Sequence, residues 1–323
     1  MFELDIELLK NVLGTEILSY FEDETVSEII VNANGDLIIE DHEGKRKVGR
    51  VNLNDMAHAL SLIAEYRGVY LNAKNPDMCV AFPIEKPFGG ARILAQIPPV
   101  TQAPSMTIRK HLKRDIVLQS YVDQGILSQD GYDYLINAIK DYKNIIVSGQ
   151  PKSGKTTLTL ALLSEIPKAS NSSDRILVLE DTPELIVPME DVEYMATSQV
   201  RNMTQLVKNA MSMRPDRIIV GEVTDKAALA MLKSWNTGCP GGVSTLHANN
   251  TLATCQRLVD LACENNIPEP ISLITTTVNV LVHIERSPSH KSGRKITEIS
   301  ELTGYDRING HFTLNPIIHE KRK

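Results

Sequence analysis

The chain has 323 residues, 42% hydrophobic and 23% charged, enough for about two ordinary globular domains with cores of their own. Its net charge of -6 argues against broad coating of nucleic acid, which needs a basic surface. No apolar run approaches the ~20 residues of a membrane span, and the start, MFELDIELLKNVLG, is acidic and lacks the basic and apolar parts of a secretory leader.

In chain order, EIIVNANGDLIIEDHEGKRKVGRV (28–51) reads as short strands broken at Asn34-Gly35 and Glu43-Gly44, where glycine supplies the positive φ of a tight turn. From Asn54 to Leu71 the spacing turns helical, with Leu60, Ile63 and Ala64 on one face and Asn54 as the expected N-cap. A further strand-rich stretch runs through ARILAQIPPV. These elements predict a small α+β domain over 1–112. The polar HLKRDIVLQS reads as connecting chain, with the linker placed at 113–120. Aromatic content of 5% predicts aliphatic cores.

The second domain, 121–323, alternates apolar runs with helical patterns. NIIVSG (144–149), RILVLED (175–181), RIIVGE (217–222) and GVSTLHA (242–248) read as strands. Helix faces follow in TTLTLALLSEI, at Leu206, Val207, Ala210 and Met211, at Leu229, Leu232 and Trp235, and at Leu252, Cys255, Leu258, Val259 and Ala262. This alternation predicts an α/β fold with a parallel sheet covered on both faces. The end of the chain reads as two or three antiparallel strands, turning at Lys291–Gly293 and Asn309-Gly310. Cys79, Cys239, Cys255 and Cys263 include no C-x-x-C pair, so they read as reduced thiols packed like small hydrophobes, and no zinc site is expected.

Gly149-Gln150-Pro151-Lys152-Ser153-Gly154-Lys155-Thr156, continuing into Thr157, fits G-x-x-x-x-G-K-[ST] between a strand and a helix. Successive backbone N–H groups at a helix N-terminus favour a bound anion. Lys155 is expected to reach the β- and γ-phosphates of ATP, and the Thr156 hydroxyl to bind Mg²⁺. Hydrolysis also needs an oriented water, a held metal and stabilised charge. Acidic and polar groups follow three strands: Glu180, Asp181 and Glu184 after ILVL, Glu222 after RIIVG, and His247 after STL. C-terminal strand ends of a parallel sheet gather ligand groups.

EIIVNANGDLIIE, GGARILAQIPPV, SMTIRK, SGQPKSGKTTL, ILVLEDTPEL, MRPDRIIVGEV and WNTGCPGGVSTLHANN together resemble the secretion ATPases, specifically the conjugal-transfer branch of the type IV secretion family. The resemblance covers most of the chain. It implies a RecA-like P-loop ATPase domain with a smaller PAS-like N-terminal α+β domain, assembled as a homo-hexameric ring with nucleotide between the domains. It implies that Glu184 is the general base, that Glu222 serves Mg²⁺, that His247 senses phosphate, and that Arg92 and Arg109 approach the triphosphate. Such a motor is expected in the cytoplasm, reaching the inner membrane through secretion or conjugation channel proteins, with no strong signal for direct nucleic-acid binding.

The chain departs from the family at Gln150, Pro151 and Lys152, where a glycine, a threonine and a further glycine are usual, and at Thr224, where arginine is common. Pro151 removes an N–H donor, and Lys152 adds a Cβ and a charge. Two other functions stay open on these residues: a type IV pilus or type II secretion ATPase on the same fold, and a nucleotide-binding scaffold with weak turnover.

Overall fold

The computed structural model describes residues 6–41, 43–82, 86–110, 116–169, 173–198, 200–264 and 266–319. They fall into two compact units, Met1–Arg114 and Asp115–Lys323.

The first unit runs α1 (Ile6–Glu22), β1 (Glu28–Val31), β2 (Asp36–Asp41), β3 (Gly44–Arg50), α2 (Leu53–Tyr66), β4 (Asp77–Ala81), β5 (Arg92–Gln96) and β6 (Ser105–Arg109). Its sheet is antiparallel throughout, in the order β3-β2-β1-β6-β5-β4. Alternate strand residues, among them Ile29, Val31, Leu37, Ile39, Ile93 and Ile108, face the buried sides of α1 and α2. Leu60, Ile63 and Ala64 lie on that buried side as their spacing predicts. The cap is Asn52 rather than Asn54, because the Asn52 side chain accepts the Asn54 N–H. The core is mainly aliphatic, as the low aromatic content predicts, with one aromatic cluster. Phe21, Phe82 and Phe88 cluster with ring centroids 5.2–5.3 Å apart.

The second unit begins earlier than the expected linker allows. Residues 113–115 of that linker lie outside the described residues, but Leu118 is fully buried and Gln119 already starts α3. The elements are α3 (Gln119–Asp123), α4 (Gln129–Lys140), β7 (Ile145–Ser148), α5 (Lys155–Leu163), α6 (Ile166–Ala169), β8 (Ile176–Glu180), β9 (Val192–Ala196), α7 (Met203–Met211), β10 (Arg217–Glu222), α8 (Ala227–Asn236), β11 (Val243–Leu246), α9 (Thr251–Cys263), α10 (Ile271–Thr277), β12 (Val280–Arg286), β13 (Arg294–Asp306) and β14 (His311–His319).

Its sheet has the order β14-β13-β12-β7-β11-β10-β8-β9. The six strands from β12 to β9 are mutually parallel, and β12, β13 and β14 form the antiparallel end read from the sequence. The four runs expected as parallel strands are β7, β8, β10 and β11. Alternation sends Ile145 and Val147 into one core with α3–α6, and Ile146 into the other with α7–α10. Each fully buried aliphatic side chain of this kind contributes roughly 1.5–3 kcal/mol. Two residues expected on buried helix faces, Met211 and Leu252, are instead 40% and 47% exposed. Parallel pairing brings the C-terminal ends of β7, β8, β10 and β11 to one edge of the sheet. Among the described residues, no helix is long and apolar enough to cross a membrane.

Candidate nucleotide site

The loop Gly149–Gly154 leaves β7 and turns into α5. A Cβ at Gly149 would lie 2.3 Å from the Ile284 carbonyl oxygen and 2.5 Å from Ser153 Oγ, so the space admits only glycine. Gly154 caps α5 in the left-handed region at φ 100°, with no side-chain cap. The first-turn N–H groups of such a helix are left for another acceptor. Ser153 is 1% exposed, and its Oγ has no hydrogen-bond partner among the described residues. Lys152 also sits in the left-handed region, at φ 61°. That is the physical reason a glycine suits this position: a residue with a Cβ holds the conformation only under strain.

Lys155 is 8% exposed. Its Nζ donates to His247 Nδ1 at 3.1 Å and approaches the Gln150 carbonyl oxygen at 3.4 Å. His247 Nε2 lies 3.1 Å from Glu222 Oε1. An ammonium can only donate, so Nδ1 accepts and the ring proton sits on Nε2, where it reaches Glu222. The 3.3 Å contact of Nδ1 with the Gly149 carbonyl is then no hydrogen bond while Lys155 holds the ring. Burial lowers the Lys155 pKa, and the Glu222 charge opposes that shift. The ammonium therefore rests on neutral acceptors in a site that favours an anion.

The structure thus joins Lys155, Glu222 and His247, from α5, β10 and the residue after β11. Thr156 and Thr157 are half-buried in the first turn of α5, while Gln150 and Pro151 are exposed. Beside Glu222, a cavity of about 190 Å³ is lined by Asp181, Thr197, Asn202, Thr224 and Asp225. Glu184 is half-buried; its N–H donates to Glu180 Oε1 at 3.0 Å, and its carboxylate makes no hydrogen bond or ion pair among the described residues. Arg92 and Arg109 belong to the first unit, directly opposite each other on β5 and β6. Arg92 Nε reaches Cys79 Sγ at 3.1 Å. Arg109 also lies opposite Glu28 of β1, with no ion pair between them among the described residues. Two like charges opposite each other are mutually unfavourable, and an anion would relieve them.

One residue beside the loop has no signal in the sequence. Arg294 lies against Gly154: a Cβ there would sit 2.5 Å from its Nη1. Nothing in sequence spacing links them. Glu180 is 5% exposed, and burial pushes its carboxyl up to about 8, despite N–H groups donated by Glu184 and Leu185. Its signal was present, as the first acid after a fully buried strand. A carboxyl raised in the folded state contributes stability that is complete below its ordinary value near 4.5 and is lost as pH rises through about 8. Glu180→Gln should remove that loss, since its amide oxygen still accepts both N–H groups. Urea unfolding at pH 6 and pH 8.5 should give a wild-type difference on the order of a few kcal/mol, reduced in the variant. Equal pH dependence in the two proteins would contradict the assignment.

The sequence profile of the family described as "Type II/IV secretion system protein" matches residues 84–310. The conjugal transfer protein TrbB of Rhizobium radiobacter is 36% identical over 315 residues, covering 95% of this chain and 92% of that protein. The type IV secretion system protein VirB11 of Bartonella quintana (strain Toulouse) is 27% identical over 332 residues, covering 88% of this chain and 90% of its own. Among solved structures, the pilus retraction motor PilT with bound ADP superposes with a TM-score of 0.70 at 18% identity, covering 91% of this chain and 83% of that one, a likeness of fold.

Proposed function

The chain belongs to the type II/IV secretion system protein family, and from that premise we propose that it is an ATP-hydrolysing motor driving substrate transfer or pilus assembly in a conjugative type IV secretion apparatus. The observation that carries this reading is the Lys155–His247–Glu222 chain at the open N-terminus of α5. It offers a cation, a ring that follows that cation, and a carboxylate at one edge of the parallel sheet. Similarity to a conjugal transfer protein over nearly the whole length supports the conjugation branch over a pilus or type II secretion ATPase.

In this reading the second unit is a RecA-like ATPase domain and the first a PAS-like domain. Arg92 and Arg109 serve the triphosphate, as planar guanidinium groups pair phosphate oxygens bidentately. The loop N–H groups cradle the phosphates, and Lys155 turns from His247 to the β- and γ-oxygens. His247 Nδ1 is thereby released, which lets the ring report occupancy. Glu184 orients the attacking water. Thr156 and Glu222 fit a hard cation through oxygen atoms, and would hold Mg²⁺ to neutralise phosphate charge. The working form is a homo-hexamer, cytoplasmic, held at the inner membrane by channel proteins. Steady-state phosphate release from ATP, measured with and without Mg²⁺ over a range of protein concentration, tests this. Release that needs Mg²⁺ and rises more than in proportion to protein is the expected result; no release at any concentration contradicts it.

A second reading, a nucleotide-binding scaffold with weak turnover, is favoured by the strained Lys152. Restoring the family's loop with Gln150→Gly, Pro151→Thr and Lys152→Gly should raise turnover severalfold and change ATP affinity less, because the loop then adjusts freely as the γ-phosphate leaves. A fall in turnover at constant affinity would make the Lys152 ammonium part of the catalytic charge.

A further inference from the structure

Arg294 opens β13, and its guanidinium occupies the space a side chain at Gly154 would fill, with Nη1 2.5 Å and Cζ 3.5 Å from that Cβ position. The loop before it is tightly bonded. Ser287 N–H donates to the Gly293 carbonyl at 2.9 Å, Gly293 N–H to the His290 carbonyl at 2.8 Å, and Ser292 Oγ to the Arg294 carbonyl at 3.1 Å. Ile296 N–H donates to the Ile126 carbonyl at 3.0 Å, tying the start of β13 to the segment between α3 and α4. The backbone that presents Arg294 is therefore fixed in place.

The guanidinium is half-buried, and among the described residues it has no carboxylate within ion-pair distance and no hydrogen-bond acceptor. Its surroundings are positive: the N-terminus of α5 carries partial positive charge, and Lys155 is the next residue. A cation held beside a helix N-terminus is by itself unfavourable. An anion on the loop reverses the sign, because the helix end and the guanidinium then act on the same charge.

We infer that Arg294 is a phosphate-binding residue of the nucleotide site, contacting the α- and β-phosphates, which ATP and ADP share. The sheet order carries the choice of phosphates. Glu222 and His247 come from β10 and β11 on one flank of β7, whereas β13 lies beyond β12 on the other. The catalytic groups thus gather at the γ-phosphate end, and Arg294 approaches the loop from the opposite flank, at Gly154. This inference rests on the nucleotide reading of the loop.

The test uses the full chain and three variants: Arg294→Ala, Arg294→Lys and Lys155→Ala. Titration calorimetry with Mg-ADP and with Mg-ATP, and competition by inorganic pyrophosphate, report binding. Thermal melting without nucleotide reports a structural role. Loss of one charge-assisted contact should weaken ADP, ATP and pyrophosphate alike, each by about tenfold or more in Arg294→Ala, with Arg294→Lys between it and wild type. In steady state KM should rise more than kcat falls. The ligand-free melting temperature should stay level or rise, because an unpaired cation has left a positive site. Unchanged ADP affinity in Arg294→Ala, while Lys155→Ala binds poorly, overturns the inference and leaves the nucleotide site standing. Weakening confined to ATP overturns the assignment to the α- and β-phosphates. A lower ligand-free melting temperature with unaltered affinity makes the residue structural and also overturns it. Full binding and hydrolysis by Lys155→Ala would remove the nucleotide reading itself.

Discussion

Lys155→Ala is expected to cut ATP hydrolysis by about a hundredfold or more, the effect of losing about 3 kcal/mol or more of preorganised charge stabilisation. Lys155 is 8% exposed, and its ammonium rests on the Gln150 carbonyl and His247 Nδ1, neither of them charged. Among the described residues, the carboxylate nearest to it in this chain of contacts is Glu222, which acts through the histidine. Burial pushes the Lys155 pKa down, so the protein holds this charge at some cost, which a bound phosphate would offset. The fold should not suffer from the truncation. The aliphatic stem lies at the start of α5, alanine is the best helix former, and a desolvated charge disappears. Circular dichroism melting and phosphate release on the same preparation check both halves. Hydrolysis at the wild-type rate in a well-folded variant would refute the phosphate-loop assignment.

The strands that position this site were legible because they are short, fully buried runs ending in polar residues. Ile145–Ser148 and Ile176–Glu180 are buried at every position and read as apolar runs up to a polar last residue, while Val243–Leu246, equally buried, carries Ser244 and Thr245 between its two apolar ends. β9 was missed for the opposite reason. It is the edge strand of the sheet, next to β8 and largely exposed, so it carries no apolar period. α4 was hidden by Gly131 in its first turn, which suggests a break. A Cβ there would lie 2.3 Å from Ile318 Cδ1, so the glycine answers to packing against β14 rather than to a turn. The groups at the ends of β10 and β11 could be picked out because parallel strands deliver their C-termini to one edge. Arg294 could not, because it arrives by an antiparallel return from β12, and sequence distance carries no trace of that contact. The strain at Lys152 was legible only as a missing glycine; its φ of 61° gives that absence a physical meaning.

Glu222→Gln and Glu184→Gln should fail in different ways. Glutamine at 222 can still accept the His247 Nε2–H, so the hydrogen bond that now measures 3.1 Å survives while the negative charge is lost. Hydrolysis should fall by about a hundredfold or more, as for other charge-stabilising groups, and half-saturation should need more Mg²⁺, since an amide oxygen is a weaker ligand for a hard cation than a carboxylate. The pH profile supplies a separate signature. Burial lowers the Lys155 pKa and the Glu222 charge raises it, so removing that charge moves the Lys155 pKa further down. Lys155 must be protonated to stabilise the phosphates, so activity in Glu222→Gln should be lost at lower pH on the alkaline side than in wild type. Glu184 has no contact with Lys155 or His247 among the described residues. Its glutamine variant should bind Mg-ATP normally and keep both the Mg²⁺ titration and the alkaline limb in place, with turnover alone reduced. Initial rates across a Mg²⁺ series at pH 7, 8 and 9 separate the two carboxylates. Matching Mg²⁺ requirements and matching alkaline limbs in the two variants would show that the charge of Glu222 plays no distinct part, and that the water and the metal are not served by different residues.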